Sequence, residues 1–504
     1  MILRDILENV AVLAIRGRDD VGIGSVCRDS RAAGRGSLFI AERGFASDGH
    51  NFICAAVQNG AQAIVYEDEL ALAAQLAKIS PANDLEAKSG RIEAIERLTL
   101  VKVADTRVAE ALIADNFHGH PSRKLTLVGI TGTNGKTTTV TLLYHLFMGL
   151  GYNCGLLSTI ANYVGPRRLE TANTTADPIT INSLMASMVD EGCEYCFMEV
   201  SSIGVQQERI RGLEFKIAIF SNLTHDHLDY HKTFAEYLRC KKLFFDNLPR
   251  TAYAVINIDD KNGRVMVQNT KATVVTYSCR SMADHSCRIL EQGFDGMQLR
   301  IDGHDVWTRL TGRHNAYNLL AIYTAAILAG ASEEEALVSL SKLEAAPGRL
   351  ETIRGARDLS VVIDYAHTPD ALENVLKTLR EVAGGRTLVC LFGCGGDRDR
   401  TKRPEMAAIA EKYADRIFVT SDNSRTERTE DIMEDIKAGF SPAGLSKTVF
   451  IADRKEAIRT AMMLSPEGSA ILLAGKGHEN YQIIGTEKRH FDQTEIVQEI
   501  FKTL

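Results

Sequence analysis

The sequence predicts an α/β chain of three domains with mainly parallel sheets, and three observations carry that expectation. From about Leu125 onward, short aliphatic and β-branched runs ending in Gly, Asn, Asp or Ser alternate with helical stretches, the pattern of βαβ units covered on both faces. The 504 residues exceed what one hydrophobic core organises. Turn chemistry at His118-Gly-His-Pro-Ser122 and at Ala346-Pro-Gly-Arg349 divides the chain, so the expected domains are 1–122, 123–345 and 346–504.

The first domain reads as a compact α/β unit. In the second, the runs LTLVGITG, EYCFMEVSS, FKIAIFSNLT and AYAVINID read as strands, and a helical stretch spans Asn315 to Leu343. In the third, SVVIDYAH, TLVCLFGCGG, DRIFVTSDN and SAILLAGKG are the expected strands. Ligands of open parallel sheets collect beyond the carboxyl ends of strands, so the site is expected where these polar ends gather.

Apolar residues make up 45% and charged residues 24%, an ordinary globular balance without low-complexity segments. A net charge of −7 offers no field for nucleic acid, although the basic cluster from Asp397 to Arg403 could hold small anions. The N-terminus lacks a charged segment followed by a long apolar one, and no 18-residue apolar run occurs, so no membrane insertion and a cytoplasmic location are expected. The ten cysteines sit mostly in strand-like runs and are expected to be free thiols; Cys193 and Cys196 lack a second pair at zinc spacing.

Leu125 to Thr139, LTLVGITGTNGKTTT, reads as a strand, a glycine-rich turn and a helix running to about Leu150. Backbone amides of Gly132, Thr133, Asn134, Gly135 and Thr138 can face phosphate oxygens, Lys136 can reach the β and γ phosphates, and the Thr137 hydroxyl can ligate Mg²⁺. A nucleotide, ATP, is therefore the expected co-substrate. The spacing departs from the general phosphate-loop pattern, because position 130 holds isoleucine and the nearest glycine is Gly129. Glu199, ending the next strand, is a natural oxygen ligand for Mg²⁺; the histidine-rich run from His225 to His231 reads equally as a metal site or a hydrogen-bonded corner.

Gly-x-x-Gly-Thr-Asn-Gly-Lys-Thr resembles the phosphate loop of Mur ligases and folylpolyglutamate synthetases. Glu-Val-Ser-Ser from Glu199, Asn-Leu-Thr-x-Asp-His-Leu-Asp-Tyr-His ending at His231, Gly312-Arg-His-Asn315, Pro347-Gly-Arg349 and Asp364-Tyr-Ala-His-Thr-Pro369 resemble Mur ligase segments in the same order along nearly the whole chain. The resemblance implies two Mg²⁺ ions, with Glu199 and His227 holding the second. Lys241, in Tyr237-x-x-Cys-Lys, is implied to be N6-carboxylated and to act as an anionic oxygen ligand for that second ion. Asn315 and Arg349 are implied ATP contacts.

Asp29-Ser30-Arg31 and Asp48-Gly-His-Asn-Phe52 resemble the uridine-nucleotide domain of the family, with Ser30 its principal contact. Asn173, Thr174, Thr175, Ser202, Gln207 and Arg209 match segments that hold the UDP-muramoyl dipeptide. Ile203 stands where family members often have histidine. The third domain, Rossmann-like, carries Gly393 to Pro404, Ser421 to Arg425 and Gly475 to Glu479, which resemble the MurE branch of the family. That branch joins an amino acid's amine to the D-glutamate γ-carboxyl of UDP-N-acetylmuramoyl-L-alanyl-D-glutamate, through an acyl phosphate.

Arg425 and Arg398 are implied to grip the far carboxylate of meso-diaminopimelate, with Asp422, Asn423, Gly475 and Glu479 holding the amino-acid ends. Ser424 replaces the family's proline, which keeps L-ornithine and L-lysine open as the added residue. A folylpolyglutamate synthetase-like ligase and a nucleotide-binding scaffold with a dead site are the remaining alternatives. The chain is expected to act as a monomer.

Overall fold

Strands form where the alternation places them, and they assemble into three separate larger sheets. The computed structural model describes residues 1–44, 47–79, 97–171, 173–224, 231 and 233–504. The first sheet holds β1 (Val12–Arg16), β2 (Ser25–Cys27), β3 (Ser37–Ile40), β4 (Ala63–Tyr66) and β5 (Thr99–Val103) in the order β1-β5-β4-β3-β2. All neighbours are parallel except β1, which closes one edge antiparallel to β5.

The central sheet contains β6 (Thr126–Thr131), β7 (Cys154–Leu157), β8 (Asn162–Val164), β9 (Arg167–Leu169), β10 (Tyr195–Glu199), β11 (Ile217–Phe220), β12 (Tyr253–Asn257), β13 (Thr273–Ser278), β14 (His285–Gly293), β15 (Gly296–Ile301) and β16 (His304–Thr308). Their order is β16-β15-β14-β13-β12-β11-β6-β10-β7-β8-β9. β6 lies between β10 and β11, and the neighbours from β7 to β14 run parallel. Antiparallel hairpins extend both ends of the sheet.

Both faces are covered at the centre of this sheet, which is why β6, β10, β11 and β12 read as nearly unbroken apolar runs. The helix Lys136–Gly149 packs Val140, Leu143 and Phe147 against one face. The helix Phe234–Asp246 packs Phe244 and Phe245 against the other. A Cβ on Gly129 would stand 2.6 Å from Phe215 and 2.8 Å from Phe244. This glycine therefore serves helix packing, not phosphate, and the departure from the usual loop spacing has a packing cause.

The third sheet comprises β17 (Glu351–Arg354), β18 (Ser360–Asp364), β19 (Leu388–Phe392), β20 (Arg416–Val419), β21 (Thr448–Phe450) and β22 (Ala470–Ala474), in the order β17-β18-β22-β19-β20-β21. It is parallel except for β17. A hairpin, β23 (Tyr481–Ile484) with β24 (Glu487–His490), follows.

The helical stretch expected from Asn315 to Leu343 is two helices, Arg313–Leu328 and Glu333–Lys342. Gly330, at φ +111°, ends the first, and a Ser332–Glu335 capping box starts the second. All ten cysteines are free thiols, with Cys193 and Cys196 buried. No helix among the described residues is long and apolar enough to cross a membrane.

Candidate active site

The polar ends of β6, β10, β11 and β12 face the third unit across a cleft of about 780 Å³, lined by residues 133–138, Glu199, Asn222, Asn315 and, from the third unit, Arg349, Asp364 and Tyr365. The loop after β6 is shaped by two glycines in the positive-φ region. A Cβ on Gly132 (φ +155°) would stand 1.9 Å from Ser221 Oγ, and one on Gly135 (φ +89°) 2.5 Å from Asn318 Oδ1. Asn134 is pinned by its backbone, donating to Asn222 Oδ1 at 3.0 Å and accepting from Ser221 Oγ at 2.7 Å.

Lys136 Nζ donates to the carbonyls of Gly132 and Thr133, each at 2.9 Å, so the ammonium lies over the loop. Thr137 Oγ1 accepts from Arg349 Nη2 at 3.5 Å. Thr138 lines the same cleft. Asn315 anchors its side chain on the Thr311 carbonyl at 2.9 Å and receives Asn318 Nδ2 at 3.1 Å. Arg349 stacks over the Tyr365 ring at 4.9 Å.

Glu199 is fully buried; its Oε1 accepts from the Thr159 amide at 2.8 Å. Its Oε2 has no hydrogen-bond partner among the described residues. A buried carboxylate oxygen left open is costly unless a cation or donor meets it, which fits a metal ligand. His227 lies outside the described residues, and among those described no group of three His, Cys, Asp or Glu side chains forms a metal cluster. Lys241 is buried at 1% exposure, its Nζ 2.8 Å from the Gly132 carbonyl and 4.8 Å from the Tyr237 ring centroid. Its amine thus stands directly behind the phosphate loop, which no solvated helix lysine would do.

Thr174 and Thr175 bring their segment to the same strand end. Thr159 Oγ1 donates to Thr174 Oγ1 at 3.1 Å, and Thr175 Oγ1 donates to the Glu199 carbonyl at 3.0 Å. Arg209 donates to the Thr175 carbonyl and to Gln207 Oε1, both at 2.6 Å. Ser202 Oγ is 2.8 Å from His231 Nε2. Asn173 is exposed, and its carbonyl accepts from Thr171 Oγ1. Ser30, 8% exposed after β2, is not part of the cleft; its carbonyl receives Asn59 Nδ2 at 2.8 Å. Gln207 also borders a smaller pocket of about 360 Å³ with Glu42, Arg43 and Arg107.

A third group forms at the ends of β20 and β22. Asn423 Nδ2 donates to Glu479 Oε2 at 2.9 Å. Gly475 sits at φ +112°, which strains any side chain there, and a Cβ would lie 2.7 Å from Asp422 Oδ2 and displace that carboxylate. Burial works to raise the Asp422 carboxyl, but the Lys476 ammonium and Arg454 guanidinium outweigh it and hold it below the usual range. Arg425 Nη1 donates to the Gly396 carbonyl at 2.8 Å. A Cβ on Gly395 would stand 3.0 Å from that nitrogen and 3.7 Å from Arg398 Cγ, so both arginines flank one glycine.

The basic cluster at 397–403 divides. Arg403, fully buried, pairs with Glu427 at 2.9 Å and Asp435 at 2.7 Å, and Arg400 joins the same two carboxylates. These two arginines brace the loop internally, whereas Arg398 is exposed, its Nη1 donating to the Asp397 carbonyl at 3.3 Å. Sequence reasoning missed Lys476, Asp370 and the Arg28–Glu110 pair. Lys476 lies within the segment from Gly475 to Glu479, and Asp370 directly follows the Asp364 to Pro369 motif; Arg28 and Glu110 meet only through tertiary folding.

Residues 22–117 match the Mur ligase family catalytic domain, residues 130–326 the Mur ligase middle domain and residues 348–477 the Mur ligase glutamate ligase domain. The chain is 47% identical to a UDP-N-acetylmuramoyl-L-alanyl-D-glutamate--2,6-diaminopimelate ligase of Cytophaga hutchinsonii, over 100% of both chains. It is 48% identical to the protein of that name from Bacteroides fragilis, over 99% of each. A solved structure of such a ligase, 31% identical, superposes with a TM-score of 0.70 over 100% of this chain and 99% of that one. A MurF ligase of Thermotoga maritima in complex with ADP, at 17% identity and TM-score 0.62, covers 96% of this chain and 97% of its own, and shares the fold.

Proposed function

The chain belongs to the Mur ligase family, whose three domains it matches in order, and on that premise we propose that it adds meso-diaminopimelate to UDP-N-acetylmuramoyl-L-alanyl-D-glutamate at the expense of ATP. It is an ATP-dependent ligase of peptidoglycan synthesis. In this reading three units, 1–122, 123–345 and 346–504, take the uridine nucleotide, ATP and the amino acid respectively, in a cytoplasmic monomer.

The observation that carries the amino acid is the pairing of opposite poles on the loops that follow β19, β20 and β22. Asp422 and Glu479, the latter held by Asn423, offer anionic oxygens, while Arg425 and Arg398 flank Gly395. An amino acid with an additional carboxylate satisfies both poles, and a planar guanidinium discriminates a carboxylate better than a bare pocket would.

The D-glutamate γ-carboxylate attacks the γ-phosphorus of ATP, releasing ADP and leaving an acyl phosphate; the incoming amine then displaces phosphate. Lys136, held over the loop carbonyls, neutralises phosphate charge. Ser30, Thr174, Thr175, Ser202, Gln207 and Arg209, with Asn173 at their margin, orient the dipeptide substrate, and Asn315 and Arg349 orient the nucleotide. Closure of the third unit over the cleft excludes water from the activated carboxyl. Mg²⁺, two ions in this reading, would be held by Thr137, by Glu199 with its open Oε2, by His227 and by Lys241 as N6-carboxylysine, supplying positive charge to the phosphoryl oxygens.

Ser424, buried at 3% exposure where the family has a proline, keeps L-ornithine and L-lysine as the alternative amino acids. Phosphate release with the UDP-dipeptide and ATP, measured with and without each amino acid, tests the proposal. Release that no amino acid stimulates contradicts it.

A further inference from the structure

Lys476 has zero exposure, and a buried ammonium is retained only where partners satisfy it. Its Nζ donates to Asn423 Oδ1 and Glu479 Oε2, each at 3.0 Å, and lies 3.7 Å from Asp422 Oδ1. The Tyr481 ring centroid is 5.7 Å away. All three polar partners belong to the group proposed to hold the amino acid, and none of the Lys476 surface reaches solvent. We propose that Lys476 is a positioning residue for amino-acid recognition, locking the Asn423 amide and fixing which oxygen of Glu479 remains for the substrate. This inference rests on the assignment of that group as the amino-acid site.

The hydrogen bonds define the arrangement atom by atom. Asn423 Oδ1 accepts from Lys476 and from the Ile483 amide at 2.9 Å, and its Nδ2 donates to Glu479 Oε2. Both ends of the amide are therefore committed, and its orientation is fixed by a cation on one side and a carboxylate on the other. Glu479 Oε2 receives two donors, which leaves Oε1 as the oxygen available to a substrate ammonium.

Asp422 Oδ1 accepts from the Asn423 amide at 2.6 Å and faces Lys476. Burial works against a charge on Asp422, and the Lys476 ammonium counters it, which keeps that carboxylate an acceptor for a substrate ammonium. Arg454 is the other cation here, but its guanidinium is spent on the carbonyls of Ser421 and Ala474 and on Gln493 Oε1. Of these two cations, Lys476 is the one that contacts Asp422, Asn423 and Glu479.

Lys476→Met, assayed at saturating ATP and UDP-dipeptide, is expected to raise KM for the amino acid by about tenfold or more, with kcat and KM for ATP changed by less than about threefold. In a Glu479→Ala background the same substitution is expected to add little, because the lysine acts through that carboxylate. Lys476→Gln serves where the methionine variant does not fold. An unchanged amino-acid KM, an equal loss for every substrate, full additivity with Glu479→Ala, or failure of both variants to fold would each overturn the role. The comparison is made with whichever amino acid the unaltered enzyme prefers, so a wrong substrate assignment and a wrong role for Lys476 fail separately.

Discussion

Glu110 Oε1 lies 3.5 Å from Arg28 Nη1, at 1% side-chain exposure, in the junction between the first and central units. Burial pushes the Glu110 carboxyl up to about 8 against the pull of Arg28, with Glu42 and Asp177 adding to the rise. The folded chain therefore holds a proton that the unfolded chain, with an ordinary glutamate, releases. Stability falls as pH rises between the ordinary glutamate value and about 8. Glu110→Gln is expected to flatten that slope, giving a higher thermal midpoint than the unaltered protein at about pH 8 and a gap that closes toward about pH 5. Parallel pH profiles would contradict the burial argument.

Lys241 points its amine at the back of the phosphate loop, 2.8 Å from the Gly132 carbonyl. If it carries a carbamate in the working enzyme, Lys241→Ala is slow and partly restored by a small added carboxylate. An alanine variant of full activity, indifferent to bicarbonate, removes the modification from the mechanism.

Asp370 ties the third unit to the loop, accepting from Asn134 Nδ2 at 3.2 Å and from Thr224 Oγ1 at 3.0 Å. Asp370→Ala loses both charge-assisted bonds, and KM for ATP should rise by roughly tenfold with the thermal midpoint little changed. A normal ATP KM means that the bridge has no part in the working arrangement.

Arg425 spends Nη1 on the Gly396 and Asn423 carbonyls, 2.8 and 3.4 Å away, which aims the guanidinium without consuming it. Arg425→Ala should lower kcat/KM for diaminopimelate by roughly two orders of magnitude while leaving lysine and ornithine less affected. Equal losses on all three amino acids would make the arginine structural.

The phosphate loop was legible because its chemistry is local: Gly132, Gly135, Lys136 and Thr137 sit within six residues, bracketed by a strand and a helix. The parallel strands were legible for the same reason, each ending in polar residues. The antiparallel hairpins at the ends of the central sheet were missed, because β8, β9 and β14 to β16 mix polar and apolar residues without a marked boundary. Gly129 drew attention as a phosphate-loop glycine out of register, and only the positions of Phe215 and Phe244 assign it to packing. Arg403 read as part of a basic cluster available to small anions, and Lys476 drew no reading; their burial depends on Glu427, Asp435 and Glu479, residues whose proximity no local pattern carries.

The most direct measurement is a competition. The enzyme is incubated with UDP-N-acetylmuramoyl-L-alanyl-D-glutamate, ATP, Mg²⁺ and equal amounts of meso-diaminopimelate, L-lysine and L-ornithine, and the products are separated by mass. The expected result is the diaminopimelate-containing tripeptide as the dominant product. A dominant lysine or ornithine product, or no amide product at all, would contradict the assignment.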